Sequence, residues 1–367
     1  MTKSCALKGG QKVFQLHLNQ AASCCRSYPV SLSKPESIDS LIKQWDQESL
    51  LLDRGVELES CQHCWDHENQ GVVSYRQQAS PTWGNNNLVE LFIDNTCNQM
   101  CSYCSPKFSS SWQRSIRQQG MFKNISASSQ KNLAPTTAST DPTQKLWQIF
   151  DYINQCDDNS VTLNLAGGEP LMQIKNLQRF LKSNSAKIAR LQITTNLNPP
   201  SAKFLHWTLN SFPREKLFFQ ISLDTVPEHN SIPRAGFDRQ KFENNLALLK
   251  HHDVKFCFLS VISVLNIFSL NEFQIWLTQK GYDSKFFRLN NPDCLDPCYL
   301  PQQFKEKLLT QNLPDLAFDA LQQQPNMIDI KQFEQYNYLK QYFERTATQI
   351  TDSELAEYWS WLEDKFK

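Results

Sequence analysis

The chain lacks any long hydrophobic run. No stretch approaches the roughly 18 apolar residues of a membrane span, and the opening residues, MTKSCALKGGQKVFQLHLNQ, have no apolar core of the secretory kind. It also lacks a charge excess, since Lys and Arg together number 37, as do Asp and Glu. A formal charge of zero gives no field to gather a polyanion, and no basic stripe interleaved with aromatics is present; both count against nucleic acid as the main partner. There is no internal repeat. These absences imply a cytoplasmic protein with no membrane partner. In that reducing compartment the twelve cysteines are poor candidates for a disulfide framework and good ones for metal ligands.

At 367 residues the chain is long enough for about two domains. From residue 88 onward, short β-rich runs alternate with amphipathic stretches. LVELFID (88–94), VTLNLA (161–166), IARLQITT (188–195), KLFFQISL (216–223), VKFCFLSVIS (254–263) and KFFRL (285–289) read as six strands. TQKLWQIFDYINQC, KNLQRFLKSN, FDRQKFENNLALLKHH and LNEFQIWLTQKG read as helices between them. Repeated β-then-α units predict a parallel sheet, here an open partial barrel of six units whose chemistry gathers at the C-terminal ends of the strands. Three regions follow: 1–87, short and cysteine-rich; 88–290, the α/β barrel; and 291–367, a helical extension whose Trp and Tyr residues are read as packing. The first region shows one clear helix, 38–53, with loops around it, and has little core of its own unless a metal centre supplies one. The Ser/Thr/Gln/Asn-rich stretch 107–145 reads as a mobile loop, or as a lid over the barrel mouth.

The cysteines cluster. Cys97, Cys101 and Cys104 occupy eight positions directly after the first barrel strand. Thiolates suit zinc or iron-sulfur centres; structural zinc needs four closed ligands, whereas a cubane cluster can leave one iron free for a substrate or cofactor. Cys61 and Cys64 form a CxxC, Cys24 and Cys25 are adjacent, and Cys294 and Cys298 lie near the end of the barrel. Read from spacing alone, a CxxC with distant cysteines is a generic four-thiol site for zinc or an iron-sulfur cluster. Cys156 and Cys257 fall on apolar faces and read as packing. AGGEP (166–170) follows the second strand; glycines there let backbone approach a ligand, and a carboxylate can receive an ammonium.

CNQMCSYC resembles the CxxxCxΦC signature of the radical S-adenosylmethionine (radical SAM) superfamily, with Tyr103 as the aromatic Φ. The resemblance covers about 88–290. It implies that Cys97, Cys101 and Cys104 hold a 4Fe-4S cluster whose fourth iron is chelated by S-adenosylmethionine, which is cleaved reductively to a 5'-deoxyadenosyl radical. Glu169 with the Gly167 and Gly168 backbone would then meet the cofactor's amino group. Asn196, after strand three, and Ser222, after strand four, would meet its ribose or carboxylate. Asn266 is a further cofactor candidate or a turn residue, Asp224 faces cofactor or substrate, and Arg234 is a carboxylate partner or a solvent-exposed side chain.

The pattern CCR...CxxCWxxExxGxxSyR resembles the auxiliary-cluster segment of superfamily members with a twitch domain, a shortened relative of the SPASM domain, although here it precedes the barrel. That implies a second 4Fe-4S cluster on Cys61 and Cys64, with Cys24 or Cys25, and with Cys5 as the fourth ligand; Cys294 and Cys298 either supply that fourth ligand instead or hold nothing. His67 and Glu68 beside Cys64 read as a group ordering the cluster loop. The implied function is oxidative modification of an amino-acid-derived small molecule or a peptide, in natural product biosynthesis, with a flavodoxin- or ferredoxin-type reductant. RNA modification, or a non-catalytic zinc-binding protein, are the alternatives.

Overall fold

A computed structural model describes residues 5–32, 38–69, 71, 73–78, 87–135, 143–172, 175–289 and 291–366. Among the described residues eleven strands run in chain order: β1 Gln11–Gln15, β2 Gln20–Ala22, β3 Val30–Ser31, β4 Asn87–Phe92, β5 Met100–Cys101, β6 Val161–Ala166, β7 Ile188–Thr195, β8 Leu217–Ser222, β9 Arg234–Ala235, β10 Lys255–Ile262 and β11 Ser284–Arg288. The chain forms two compact units, one of residues 1–95, 137–194 and 203–218, the other of 96–136, 195–202 and 219–367.

In the first unit the strand order is β7-β6-β4-β1-β2-β3. β4 pairs in parallel with β6, and β6 with β7, as alternating β and α segments require. VTLNLA is buried at every residue but Thr162, because a parallel strand is covered on both of its faces; Leu163 and Leu165 lie fully inside with Leu191 and Ile193 of β7. The helices Thr143–Gln155, Lys175–Asn184 and Lys203–Ser211 follow their strands as the 3.6-residue periodicity predicts. The helix Ile38–Asp53 buries Ile38, Leu41, Ile42, Trp45 and Leu52.

The region before residue 87 holds more than that helix and loops. β1 pairs in parallel with β4, Val13 opposite Glu90, and β2 and β3 continue antiparallel from it. QKVFQ carries little alternation, so its strand character comes from its neighbour rather than from its own propensity.

In the second unit the order is β11-β10-β8, with β10 and β11 parallel, and β5 pairs with β9 in a separate ribbon. Helix Arg239–His251 is capped by Asp238, whose side chain accepts from Lys241 N at 3.0 Å. Helices Ile328–Thr346 and Ser353–Phe366 pack through Tyr336 stacked on Trp359, with ring centroids 5.7 Å apart, and bury Tyr338, Tyr342 and Tyr358, so these aromatics are core as expected.

The stretch 107–135 is not the mobile loop its composition predicts. It folds into helices Ser110–Gln119 and Ala127–Leu133. The serines that resemble a disordered tract are helix caps: Ser109 accepts from Trp112 N at 3.2 Å and Ser126 from Ser129 N at 3.3 Å. Trp112, Ile116, Phe122 and Leu133 are buried, and Glu334 accepts from Ser126 N and Ser129 Oγ, each at 2.9 Å. Residues 136–142 of the expected insertion lie outside the described residues. Among the described residues, no helix is long and apolar enough to cross a membrane.

Glu90 of β4 gives the first unit a pH dependence. Burial raises its pKa to about 7, with the 3.0 Å bond from Gln11 Nε2 pulling the other way. A carboxyl whose folded pKa exceeds its unfolded value stabilises the fold at low pH, and that stability declines as pH rises through the interval from the ordinary value of 4.5 to about 7. Glu90→Gln should remove this decline, read as a flatter midpoint-against-pH profile in urea denaturation between these limits; an unchanged profile would exclude Glu90 as its source.

Candidate functional site

Cys97, Cys101 and Cys104 lie on one loop of the second unit, and nearly every turn of that loop is tied. Ser110 Oγ accepts from Cys97 N at 3.1 Å, Ser111 Oγ donates to Cys97 O at 2.8 Å, and Ser109 Oγ donates to Gln99 O at 2.7 Å. Trp112 Nε1 donates to Cys101 O at 2.9 Å. From helix Ile328–Thr346, Tyr338 Oη donates to Ser102 O at 2.6 Å, and Tyr342 Oη meets Met100 O and Ile232 O, each at 3.0 Å. The backbone is therefore fixed while Cys97 and Cys104 stay partly exposed and Cys101 is buried. Burial pushes the Cys104 thiol up to about 12, and the Cys101 thiol also up, against the pull of Arg234. Both are protonated at neutral pH until a metal displaces the proton.

Register places Arg234 at the cysteines. β5 and β9 are antiparallel with Cys101 opposite Arg234, and Arg234 Nη1 points at Cys101 Sγ from 3.4 Å. The ribbon closes this tightly because residue 236 is glycine: its φ is +92°, and a Cβ there would stand 2.8 Å from Asn98 O. Arg234 is 6% exposed, so the solvent-exposed alternative fails. Its carboxylate partner is Asp224, with Nε at 2.8 Å from Oδ2, and Tyr103 Oη donates to the same oxygen at 2.7 Å. Arg234 Nη2 also bonds Tyr103 Oη. Burial disfavours the guanidinium charge, but Asp224 and Tyr103 outweigh it and hold its pKa well above the ordinary value.

Asp224 is wholly buried. Its Oδ1 accepts from Val261 N at 2.9 Å, and its carbonyl accepts from Asn266 Nδ2 at 2.6 Å. Asn266 also donates to Val261 O at 3.0 Å and accepts from Ser263 N at 2.8 Å, so its amide serves the loop after β10. Asn196 Nδ2 donates to Asn98 Oδ1 at 3.1 Å, within the cysteine loop, and Asn196 Oδ1 accepts from Asn198 N at 2.8 Å. Ser222 is the last residue of β8 and partly exposed.

In the first unit the glycine turn after β6 is sterically required. Gly167 has a φ of +77°, and a Cβ there would come within 2.6 Å of Phe92 Cδ1; Gly168 also has positive φ. Glu169 is fully buried and accepts from Leu171 N at 3.0 Å.

The first unit also gathers the N-terminal thiols. Cys5, Cys24, Cys61 and Cys64 line one small cavity with Lys8, Arg26, Ser27, Tyr75 and Arg76. Burial pushes the Cys61 thiol up to about 11, with Lys8 pulling it down, and raises Cys5 and Cys64. Cys25 is exposed, lines no part of this cavity, and has its N–H bonded to Gln11 Oε1 at 3.1 Å. Cys294 and Cys298 are buried in the second unit, where Gln335 Nε2 donates to Cys294 O at 2.7 Å. Cys257 is buried and Cys156 half-buried.

The motif around Cys64 latches onto itself. Trp65 Nε1 donates to Leu58 O at 3.0 Å, the Arg76 guanidinium lies 4.7 Å from the Trp65 ring centroid, and Glu68 Oε1 accepts from Arg76 Nε at 3.1 Å and from the Ser74 hydroxyl. Glu68 thus orders the loop that brings Arg76 to the thiols. Sequence reasoning gave Lys8, Arg26 and Arg76 no role; the signal for Arg76 lay in the spacing of Glu68, Ser74 and Arg76.

Among the described residues no group of three or more His, Cys, Asp or Glu side chains stands at metal-ligating geometry. The donor chemistry nevertheless fits a centre of several thiolates in both places: four thiols beside three cations in one, and three on one anchored loop with a guanidinium facing a sulfur in the other.

No family model and no curated protein matches the chain. Solved structures do. They include native anSMEcpe with bound AdoMet, at 16% identity and a TM-score of 0.41 over 63% of this chain and 59% of that one. They also include Streptococcus suis SuiB, at 12% and 0.39 over 86% and 55%, and a spore photoproduct lyase variant with bound AdoMet, at 15% and 0.32 over 77% and 90%. The chain thus spans little more than half of the first two. At these scores the likeness decides nothing about function, which rests on this chain's own residues.

Removing one partner of a buried pair leaves the other charge uncompensated. Arg234→Met should therefore destabilise the metal-free protein by roughly 3–5 kcal/mol, and adding Asp224→Asn should restore part of that loss in a double-mutant cycle by urea denaturation. Strict additivity would show the two side chains to be independent.

Proposed function

We propose that the chain is a radical SAM enzyme: a partial (β/α)6 barrel carrying a 4Fe-4S cluster on Cys97, Cys101 and Cys104, with a second cluster in the N-terminal region. The observation that carries this reading is the anchored three-thiol loop with Arg234 aimed at Cys101 Sγ from 3.4 Å. Three thiolates leave one iron of a cubane without a protein ligand, which is where S-adenosylmethionine would bind. When bound, the cluster and S-adenosylmethionine supply one-electron reductive cleavage and a carbon-centred radical that abstracts hydrogen.

The chain's own residues would hold and orient. Glu169 and the backbone of Gly167 and Gly168 would receive the cofactor's ammonium, and Asn196 and Ser222 its ribose or carboxylate. Tyr103, fixed by Asp224, would wall the site. An N–H directed at a thiolate sulfur stabilises the more negative, reduced cluster, so Arg234 would raise the cluster's potential. The second cluster would use Cys5, Cys24, Cys61 and Cys64 and would accept the electron left on substrate after hydrogen abstraction. The substrate class favoured by the resemblance is an amino-acid-derived group in a peptide or small molecule.

Anaerobic reconstitution with iron and sulfide tests this. Wild type should carry about eight irons, and Cys97→Ala/Cys101→Ala/Cys104→Ala about four, with an EPR signal perturbed by S-adenosylmethionine only in wild type. Zinc without iron would reject the enzyme reading, and four irons falling to none would remove the second cluster. A separate comparison distinguishes the adjacent thiols: Cys24→Ser should lose about four irons, whereas Cys25→Ser should keep them. The reverse result would reassign the ligand.

A further inference from the structure

One cavity of the second unit is built for something the cluster reading does not use. Its volume is about 260 Å³, and its walls include Asn98, Ser111, Arg114, Ser115, Arg345 and Thr346. No Asp or Glu lines it. Phe122 holds the Arg345 guanidinium, its ring centroid 4.4 Å from Cζ, so the charge is positioned rather than free to swing into solvent. Burial lowers the Arg345 pKa, with Glu344 and Tyr338 pulling the other way.

We infer that this cavity binds a carboxylate carried on an N-acylated amino acid, the group that a peptide C-terminus presents. Arg114 and Arg345 supply two guanidiniums, which match a carboxylate's oxygens with charge-assisted bonds. Gln118, Gln119 and Asn98 add side-chain amides that can pair with the ligand's amide. A free amino acid fits poorly, because its ammonium would meet two guanidiniums and no acid; the same repulsion disfavours S-adenosylmethionine. The volume lies just below the range of about 300–1,000 Å³ typical of drug-sized ligands, so it suits a terminal residue or two. The inference stands on this wall and goes beyond the cluster reading.

The test uses metal-free full-length protein, so failure of the cluster reading leaves it untouched. Titration at low salt, by calorimetry or ligand-observed NMR, would use N-acetylalanine, N-acetylalaninamide, alanine and inorganic phosphate. N-acetylalanine should saturate, with the amide, the zwitterion and phosphate at least tenfold weaker. Arg345→Gln and Arg114→Gln should each weaken it at least tenfold, and Arg345→Lys less. Arg114 is exposed, so its variant keeps the fold, which circular dichroism checks. N-acetyl-tetraalanine binding at least as tightly would identify a peptide end, and binding of the short compound alone a free acyl amino acid. Absence of saturation, equal affinity in the Arg114 variant, or phosphate matching N-acetylalanine would overturn the assignment.

Discussion

The carboxylate of Asp224 is the point on which the second unit turns. It is fully buried, and a buried carboxylate is tolerable only when paired and hydrogen-bonded. One oxygen takes Arg234 and Tyr103, which lie on either side of the β5-β9 ribbon, and the other takes the backbone of β10 at Val261. The backbone carbonyl of the same residue takes Asn266. A single residue at the end of β8 therefore sets the position of the cysteine loop, the loop that follows β10, and the guanidinium that faces Cys101. Because the pair is enclosed, it adds little net stability, since two charges removed from water recover little beyond their desolvation cost.

The first unit solves a related problem with cations at the other end of the scale. Four thiols around one space would become a concentration of negative charge once metallated, and Lys8, Arg26 and Arg76 stand around them. Lys8 is itself buried, held by Glu48 at 2.6 Å and Ser60 at 3.0 Å. Arg76 arrives by a different route, through its seat on Trp65 and its pairing with Glu68. Lys8 and Arg76 are thus fixed before any metal arrives, which spares the centre the reorganisation that a flexible lysine on solvent would require.

Much of this was legible in the residues. The six strands after residue 88 and the helix Ile38–Asp53 announced themselves by period, and the glycines of AGGEP by their type. What escaped was set by tertiary context. β1 reads as a strand only once β4 lies beside it, and the serines at 109 and 126 resemble disorder until they are seen as caps. Tyr338 and Tyr342 carry no local sign of their duty, because their partners in the cysteine loop lie over 200 positions away in sequence. Arg234 was ambiguous for the same reason: only the ribbon register turns it inward.

That separation has a consequence in time. Ser102 and its tyrosine latch are 236 residues apart, and at translation rates of about 5–20 residues per second the latch is made roughly 12–47 s after the loop. Throughout that interval the three cysteines have left the ribosome without the helix that later fixes their backbone. The nascent chain therefore passes through a stage in which the loop is held only by its near neighbours Ser109, Ser110, Ser111 and Trp112, and the tyrosine helix acts as a closing fastener on whatever the loop has by then acquired.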